Sequence, residues 1–309
     1  VERLMGMRGS GAPFNLWRWY LRNAPGSLGT GAIATRLNSY LMDHPRSAVV
    51  PAHFSAHLEV DTVDLIQRFL YMFGVWEPHL THWLQQRLKP GDVFIDVGAN
   101  IGYFSVLGSS LVGPDGLVVA VEASPTFHRK LSAHAHLNDC GNLRPINAAV
   151  SDKEETLRLI LVSSRNMGAS SVVPYVGPTE SEVDVEGHPL PQLLSDKELE
   201  RARVIKIDVE GAEGTVVRSL KPVLGRLRSD VEVVVEVTPK RMSSLGDSAD
   251  ELVKTFTDRG FRTYRLINDY DPRSYPAAIR HPRTPVRWDG PVTEEMDLVF
   301  SRVDARALP

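Results

Sequence analysis

The stretch Val93-Phe-Ile-Asp-Val-Gly-Ala-Asn-Ile-Gly-Tyr-Phe-Ser105 decides the fold. An apolar run with Pro90-Gly91 before it and a glycine loop after it reads as a strand buried on both faces, as in a parallel sheet covered by helices. Gly98 lets the backbone turn sharply and lets a ligand come close, while Gly102 allows tight packing where the following helix begins. Ligands of such sheets dock at the carboxyl edge of the strands. Asp96, just before the turn, suits a ligand with ammonium or hydroxyl donors better than a phosphate.

Working outward, the spacing predicts a helix over 102–112, closed by Gly113-Pro114, and then a second strand, Leu117-Val-Val-Ala-Val-Glu122. An acid again ends an apolar run. A carboxylate there can accept both hydroxyls of a ribose and would repel a 2′-phosphate. Ser124-Pro125 supplies an N-cap and a first-turn proline for the next helix, which Gly141 closes. The unit β-α-β-α with both acids in place points to a nucleoside crevice. Further along, Val204-Ile-Lys-Ile207 delivers Asp208 to the same edge, with Glu210 and Glu213 following around Gly211. Val231-Glu-Val-Val-Val-Glu236 brings another carboxylate.

Phe94-Ile-Asp-Val-Gly-Ala-Asn-Ile-Gly-Tyr-Phe, Asn147-Ala-Ala-Val-Ser-Asp152 and Ile205-Lys-Ile-Asp-Val-Glu-Gly-Ala-Glu213 resemble the successive signatures of FkbM-type S-adenosylmethionine-dependent methyltransferases, in order over about residues 60–240. The resemblance implies an α/β fold of class I methyltransferase type: a Rossmann-like, seven-stranded, mostly parallel sheet with an antiparallel last strand. It also implies methyl transfer, commonly to a hydroxyl of a sugar or natural product. Asp96, Gly98, Asn100 and Gly102 would then shape the methionine side of the cofactor pocket, Glu122 would take the ribose, and Asn147 and Ala148 would lie beside the adenine.

Composition is compatible with this reading. The chain has 309 residues, 42% of them hydrophobic, and a formal net charge of −3, which argues against a nucleic-acid coat protein and against disorder. Cys140 stands alone, so neither an internal disulfide nor a cysteine zinc site is available. No apolar run approaches the length of a membrane span and no signal-peptide core is seen, so a cytoplasmic chain is expected.

Residues 1–60 read as a basic, helical extension and 61–309 as the methyltransferase domain. Over 1–50, six arginines stand against Glu2 and Asp43. Asn15-Leu-Trp-Arg-Trp-Tyr-Leu-Arg22 reads as a helix packed on the domain with its arginines snorkelling at the rim; a lid, a dimer contact, a membrane surface and nucleic acid are the alternatives. A helix is expected from Asp61 to Gly74, with Val63, Ile66, Phe69, Leu70 and Phe73 at helical spacing, and another from Pro78 to Leu88. Tyr71, Trp76 and His79 read as core and helix-end residues. A third strand near Leu143–Asn147 precedes a β-rich insertion at about 156–190, where Asn166, Ser170, Ser171 and His188 are candidate substrate contacts. Helix 213–224 should be bent by Pro222. Helix 249–258 and strands at 261–267 and 297–301 complete the sheet, with a long loop at 269–294 as the expected substrate element.

A protonated aliphatic hydroxyl is a poor nucleophile, so an O-methyltransferase needs a group to take its proton. Asp208 is the expected base, its pKa raised by the like charges of Glu210 and Glu213, with Glu236 as its neighbour and His188 as a weaker alternative. Asp208 and Glu236 also form the pair on which a divalent cation would sit, although the sequence does not require one. Glu213 reads better as a helix-start cap, and Lys206 as a partly exposed strand residue. The expected partners are S-adenosylmethionine and a small-molecule acceptor, without nucleic acid, and with homo-oligomerisation open. Two other classes stay open: a NAD-dependent oxidoreductase, disfavoured by GxxxG in place of GxGxxG, and a non-catalytic subunit on the same fold.

Overall fold

The computed structural model describes residues 12–23, 28–162 and 179–308. In chain order the first elements are α1 (Ala12–Asn23), α2 (Thr30–Asp43), the hairpin β1 (Ser47–Pro51) and β2 (His57–Asp61), α3 (Leu65–Phe73), α4 (Pro78–Arg87), β3 (Val93–Val97), α5 (Tyr103–Val112), β4 (Leu117–Glu122), α6 (Pro125–Leu137) and β5 (Leu143–Asn147). There follow β6 (Ala149–Val150), β7 (Glu155–Val162), β8 (Thr179–His188), α7 (Leu190–Leu193), α8 (Asp196–Arg201), β9 (Ala202–Ile207), α9 (Glu213–Leu220) and β10 (Glu232–Val237). The chain closes with α10 (Pro239–Ser244), α11 (Ala249–Thr257), β11 (Arg262–Leu266), α12 (Tyr275–Arg280), β12 (Val286–Arg287) and β13 (Met296–Ser301).

The central sheet runs β12-β11-β13-β10-β9-β3-β4-β5. β3 pairs in parallel with β4 and β9, β4 with β5, and β9 with β10, while β13 inserts antiparallel between β10 and β11. This is the mostly parallel sheet that the resemblance implied, with the two-residue β12 added as an eighth strand at one edge. Alternate strand residues serve opposite layers, as the two-residue period demands. Phe94, Val118, Val204, Val234 and Val299 pack under the helices of the amino-terminal half, whereas Ile95, Val119, Ile205, Val233 and Phe300 pack against α9 and α11.

The residues preceding β3 differ from the sequence expectation. Asp61 does not start a helix; it ends β2, paired with Ser47, and the helix begins at Leu65 behind Asp64, whose Oδ1 accepts the N–H of Gln67 at 2.8 Å. The α1 helix docks through its arginines: Arg18 lies 4.5 Å over the Tyr71 ring, and Arg22 donates to the carbonyls of Leu70, Tyr71 and Met72 at the end of α3 and to that of Pro51. The Tyr71 and Met72 carbonyls lie in the last turn of α3, where a helix leaves acceptors unpaired, so a guanidinium fork fits them well. Leu16 and Trp19 face outward.

Further differences concern the loops. The helix after β9 stops at Leu220, because Pro222 has no N–H with which to continue it. The 269–294 segment is not structureless. It carries α12 and β12, and Tyr275 is fully buried against Phe69 and Phe73 with ring centroids 4.7 and 4.9 Å away. The insertion is a three-stranded sheet of order β6-β8-β7, while Asn166, Ser170 and Ser171 lie outside the described residues.

Gly98 makes the sharp turn expected of it and has a packing reason besides. It sits at φ 78°, and a Cβ there would lie 1.7 Å from the carbonyl oxygen of Asp208. The glycine lets two strand tips touch. Gly102, at φ 87°, clears Leu131 in the same way, where a Cβ would come within 2.4 Å of Cδ1. Gly98→Ala must therefore move backbone as well as adopt a left-handed conformation that costs roughly 1–2 kcal/mol by itself. We expect a loss of stability larger than that figure in urea unfolding; a variant of parent stability would show that the β3 and β9 tips are free to part.

Candidate active site

The carboxyl edges of β4, β3, β9 and β10 open into one cavity of about 320 Å³, also lined by residues of α3 and of the turn between α3 and α4. That lies in the usual range for small-molecule sites. Strand order gives it a direction. The β4 and β10 tips are three strand spacings apart, roughly 14 Å. At the β4 end the walls are Glu122, Ala123, Phe127, Ala148, Val150 and Leu159; at the β10 end they are Glu236, Arg241, Glu295, Tyr270, Trp76 and Glu77.

At the β4 end Glu122 accepts two backbone N–H groups, from Asn100 to Oε2 at 2.7 Å and from Ser124 to Oε1 at 2.8 Å. Asn100 adopts φ 52° to make this bond, and its own Oδ1 accepts the N–H of Ile101. Burial pushes the Glu122 carboxyl up to about 7, against those two hydrogen bonds. Gly98, Asn100, Glu122 and Ala148 line the cavity. Asp96, Gly102 and Asn147 do not. Asp96 lies behind it, accepting from Ser105 Oγ at 2.6 Å, and Asn147 spends its amide on the carbonyls of Glu122 and Ala123.

The centre is electrostatic. Lys206, which alternation marked as partly exposed, is buried: its Nζ lies 2.8 Å from Asp208 Oδ2 and 4.0 Å from Asp96 Oδ1, with the Phe104 ring 5.2 Å away. Burial pulls the lysine down, but Asp208, Asp96 and Glu77 outweigh it and hold the ammonium charged. Glu236 stands beside Asp208 and hydrogen-bonds to it; burial first, then the charges of Asp208, Asp297 and Glu77, push it far above the ordinary carboxylate range. Glu210, in the left-handed region at φ 56°, pairs with Arg241. Asp208, Glu210 and Glu236 each offer an oxygen within 4.8 Å of the others, so the expected Asp208 and Glu236 pair gains a third member with which to hold a cation. Glu213 caps as expected, accepting from the Gly211 N–H at 2.7 Å and from Thr238 Oγ1 at 3.0 Å. His188 is far from this chemistry: it is paired with Val150 in the insertion sheet and does not line the cavity.

Several residues escaped the sequence reading. Asp297 of β13 lies directly across the ladder from Glu236, and Asn268 donates to it at 2.6 Å. Two acids opposite one another repel. Burial, opposed by the Asn268 bond and reinforced by Asp208, raises Asp297 to about 7. Glu77 precedes Pro78 and occupies the N-cap of α4 without capping it; its Oε1 accepts from the Tyr270 hydroxyl at 2.8 Å. Burial, then Asp297, pushes Glu77 up to about 8. Trp76 is in the core as expected and also stacks on Tyr270 at the cavity wall, ring centroids 5.1 Å apart and 10° between planes.

Residues 96–263 match the methyltransferase FkbM domain family. That is more than half of the chain. The chain belongs to the FkbM methyltransferase family. It is thus an S-adenosylmethionine-dependent methyltransferase. Residues 34–152 also match the protein-L-isoaspartate(D-aspartate) O-methyltransferase family. Among relatives, the hexuronic acid methyltransferase AglP of Haloferax volcanii is 26% identical over 223 residues, covering 70% of this chain and 87% of its own. Solved structures similar to it include a methyltransferase FkbM from Methylobacillus flagellatus (TM-score 0.43, 12% identity, 76% of this chain and 52% of that one). Another is precorrin-6y C5,15-methyltransferase from Geobacter metallireducens (TM-score 0.41, 14% identity, 72% and 87%). No described helix is long and apolar enough to cross a membrane.

The raised carboxyls of this FkbM methyltransferase set a pH dependence. Glu77 at about 8, with Glu122, Glu213 and Asp297 at about 7, hold protons in the folded chain at pH values where the unfolded chain has lost them. The stabilising contribution is thus complete below the unfolded values and is lost as pH rises through the folded ones. Buried histidines such as His134, pushed down by burial, act oppositely below their ordinary value of 6.5. Between pH 7 and 8.5 the acids dominate. The urea midpoint is expected to fall over that interval, and Glu77→Gln to flatten the fall; a midpoint rising with pH in the parent would contradict the assignment.

Proposed function

We propose that this enzyme transfers the methyl group of S-adenosylmethionine to a hydroxyl oxygen of a sugar or glycosylated small molecule. The observation that carries the reading is a single cavity with a nucleoside-sized polar and apolar end at β4 and a carboxyl cluster at β9 and β10. A relative that acts on a hexuronic acid supports a sugar acceptor. We assign Glu122 to the ribose, Ala148, Val150, Leu159 and Phe127 to the base, and the Gly98–Ile101 backbone to the methionine part. Six acidic side chains, several of them raised toward neutrality by burial, line the cavity beside Lys206 and Arg241.

When bound, the cofactor supplies an electrophilic methyl on a positive sulfur, so the protein's part is to orient the acceptor and move one proton. Asp208 does the second. Lys206 holds its Oδ2, leaving Oδ1 for the acceptor hydroxyl, whose proton passes to the carboxylate as the oxygen–carbon bond forms. Glu236, kept protonated, donates to the same carboxylate and keeps it aimed. The carbon–sulfur bond electrons remain on sulfur, so the cofactor's charge disappears as Asp208 becomes neutral.

The cationic needs of the carboxylates are met by this chain's own side chains, Lys206 at Asp208 and Arg241 at Glu210, so the reading routes no step through a metal. Asp208→Asn should keep cofactor affinity, measured by calorimetry, and lose about 10²–10⁴-fold in turnover. Unchanged turnover would remove Asp208 from the mechanism. Chelator treatment should leave the rate as it was. A rate lost to chelator and restored by magnesium would instead assign Asp208, Glu210 and Glu236 to a cation.

A further inference from the structure

Glu77 puts a carboxyl at the cavity wall with half of its hydrogen-bonding capacity unused. It stands at the N-cap of α4 at φ 42° and ψ 73°, where a side chain ordinarily turns back onto the helix, yet it makes no cap bond. Its backbone N–H donates to the hydroxyl of Tyr275, and its Oε1 accepts from the hydroxyl of Tyr270, both at 2.8 Å. A non-glycine residue in the left-handed region persists only where its surroundings hold it, and here two tyrosines from the segment after β11 do so. The other oxygen is different. Glu77 lines the cavity with only 3% of its surface exposed, and among the described residues no hydrogen bond reaches Oε2. A buried polar oxygen without a partner is uncommon in a folded chain.

Burial, then Asp297, pushes the Glu77 carboxyl up to about 8, so near neutrality the group holds a proton. With Oε1 accepting from Tyr270, that proton sits on Oε2, which can then both donate and accept. Its complement is a hydroxyl, which also does both. On the proposed reading the cofactor fills the β4 end and the acceptor lies at the β10 end, where Asp208 takes the proton of the reacting hydroxyl. Asp208 follows β9 and Glu77 belongs to the turn between α3 and α4, so the two acids reach into the cavity from different layers of the fold.

We propose that Glu77 is an acceptor-binding residue whose Oε2 takes a second hydroxyl of the acceptor while Asp208 takes the one that is methylated. The inference rests on the methyl-transfer reading of the cavity and adds to it that the acceptor is a polyol read at two hydroxyls. Which hydroxyl receives the methyl group is then set by the placement of the two acids. Tyr270 acts through Glu77, as a positioning residue. A site built to bond a hydroxyl rejects the analogue that lacks it, because the buried group of the protein is left unpaired.

The test uses the full chain loaded with S-adenosylhomocysteine, with methyl glycosides of hexoses and their monodeoxy analogues as probes and binding followed by ligand-observed NMR. The parent should bind at least one glycoside, and the analogue lacking the hydroxyl at Glu77 about tenfold more weakly. Glu77→Leu should abolish the penalty for that one analogue and leave the penalties of the others as they were. Glu77→Gln keeps a donor and an acceptor and should preserve it. Tyr270→Phe keeps the ring stack but removes the hydroxyl that holds Oε1, and should cut the same penalty at least threefold; it carries the test by itself if Glu77→Leu does not fold. Affinity for S-adenosylhomocysteine should be unchanged in all three. A merely structural role would weaken the glycoside and its analogues alike, so it would not alter the penalty of a single hydroxyl. Penalties left as they were, or lowered evenly across the analogues, overturn the proposal while the methyltransferase reading stands. A parent that binds S-adenosylhomocysteine but no glycoside overturns the proposal together with the sugar acceptor, and one that binds neither overturns the cofactor reading as well.

Discussion

One buried ammonium conditions everything at the carboxyl edge of the sheet. Lys206 lies across the β3–β9 ladder from Asp96 and reaches Asp208 at its own strand's end. An unpaired buried carboxylate costs several kcal/mol, and removing the cation would leave two of them. The lysine can neutralise only part of the cluster. Glu77 and Glu236 line the same cavity with Asp297 behind, and for them protonation is cheaper than ionisation: burial and their neighbours' charges push all three up, Glu77 to about 8. The edge therefore carries the Lys206–Asp208 pair, with Arg241–Glu210 beside it, and a surround of carboxyl groups that hold their protons near neutrality. A base with a fixed orientation, among neutral donors and acceptors, is the consequence.

The sheet was legible because its strands obey a simple rule. Val93–Val97, Leu117–Glu122 and Glu232–Val237 are apolar on successive residues, as strands buried on both faces must be, and each ends in or near an acid. Lys206 broke the rule. Ile-Lys-Ile looks like one wet face, and only the register that sets Lys206 opposite Asp96 shows the charge to be paired inside. The hairpin before α3 escaped notice for a related reason: Val60 and Val63 fit a helical period as well as the end of a strand, and pairing with β1 decides between them. Gly98 was read as a sharp turn open to a ligand; the turn is there at φ 78°, and the missing Cβ also makes room for the Asp208 carbonyl, a contact that no local pattern announces.

Of the candidate site, the half facing the β4 tip could be read locally, since Gly98, Asn100, Glu122 and Ala148 all fall within some fifty residues of continuous sequence. The other half could not. Glu77, Lys206, Glu236 and Tyr270 come from four separated segments, and nothing in a run such as Trp76-Glu77-Pro78 announces that its acid will meet a tyrosine from the far end of the chain. Proximity of this kind is a product of topology: β13 inserts between β10 and β11, which turns the segment after β11 back over the strand tips.

That division bears on how such a fold acquires new substrates. The β3–α5–β4 unit is constrained by contacts a side chain cannot change cheaply, a strand tip touching another at Gly98 and a backbone N–H pair bound to Glu122. Trp76 and Glu77, by contrast, belong to the turn between α3 and α4, and Tyr270 to the segment after β11; both stand on layers packed outside the sheet. Arg22 fastens the first of these layers through carbonyls at the end of α3, and Tyr275 fastens the second against Phe69 and Phe73. Arg22 lies outside the cavity lining, and Tyr275 reaches it only through the Glu77 backbone N–H, a group that any non-proline residue at 77 retains. Side chains at the β10 end of the cavity can change while those supports stay in place, so that end is freer to vary than the β4 end, which is bound by the geometry of the sheet.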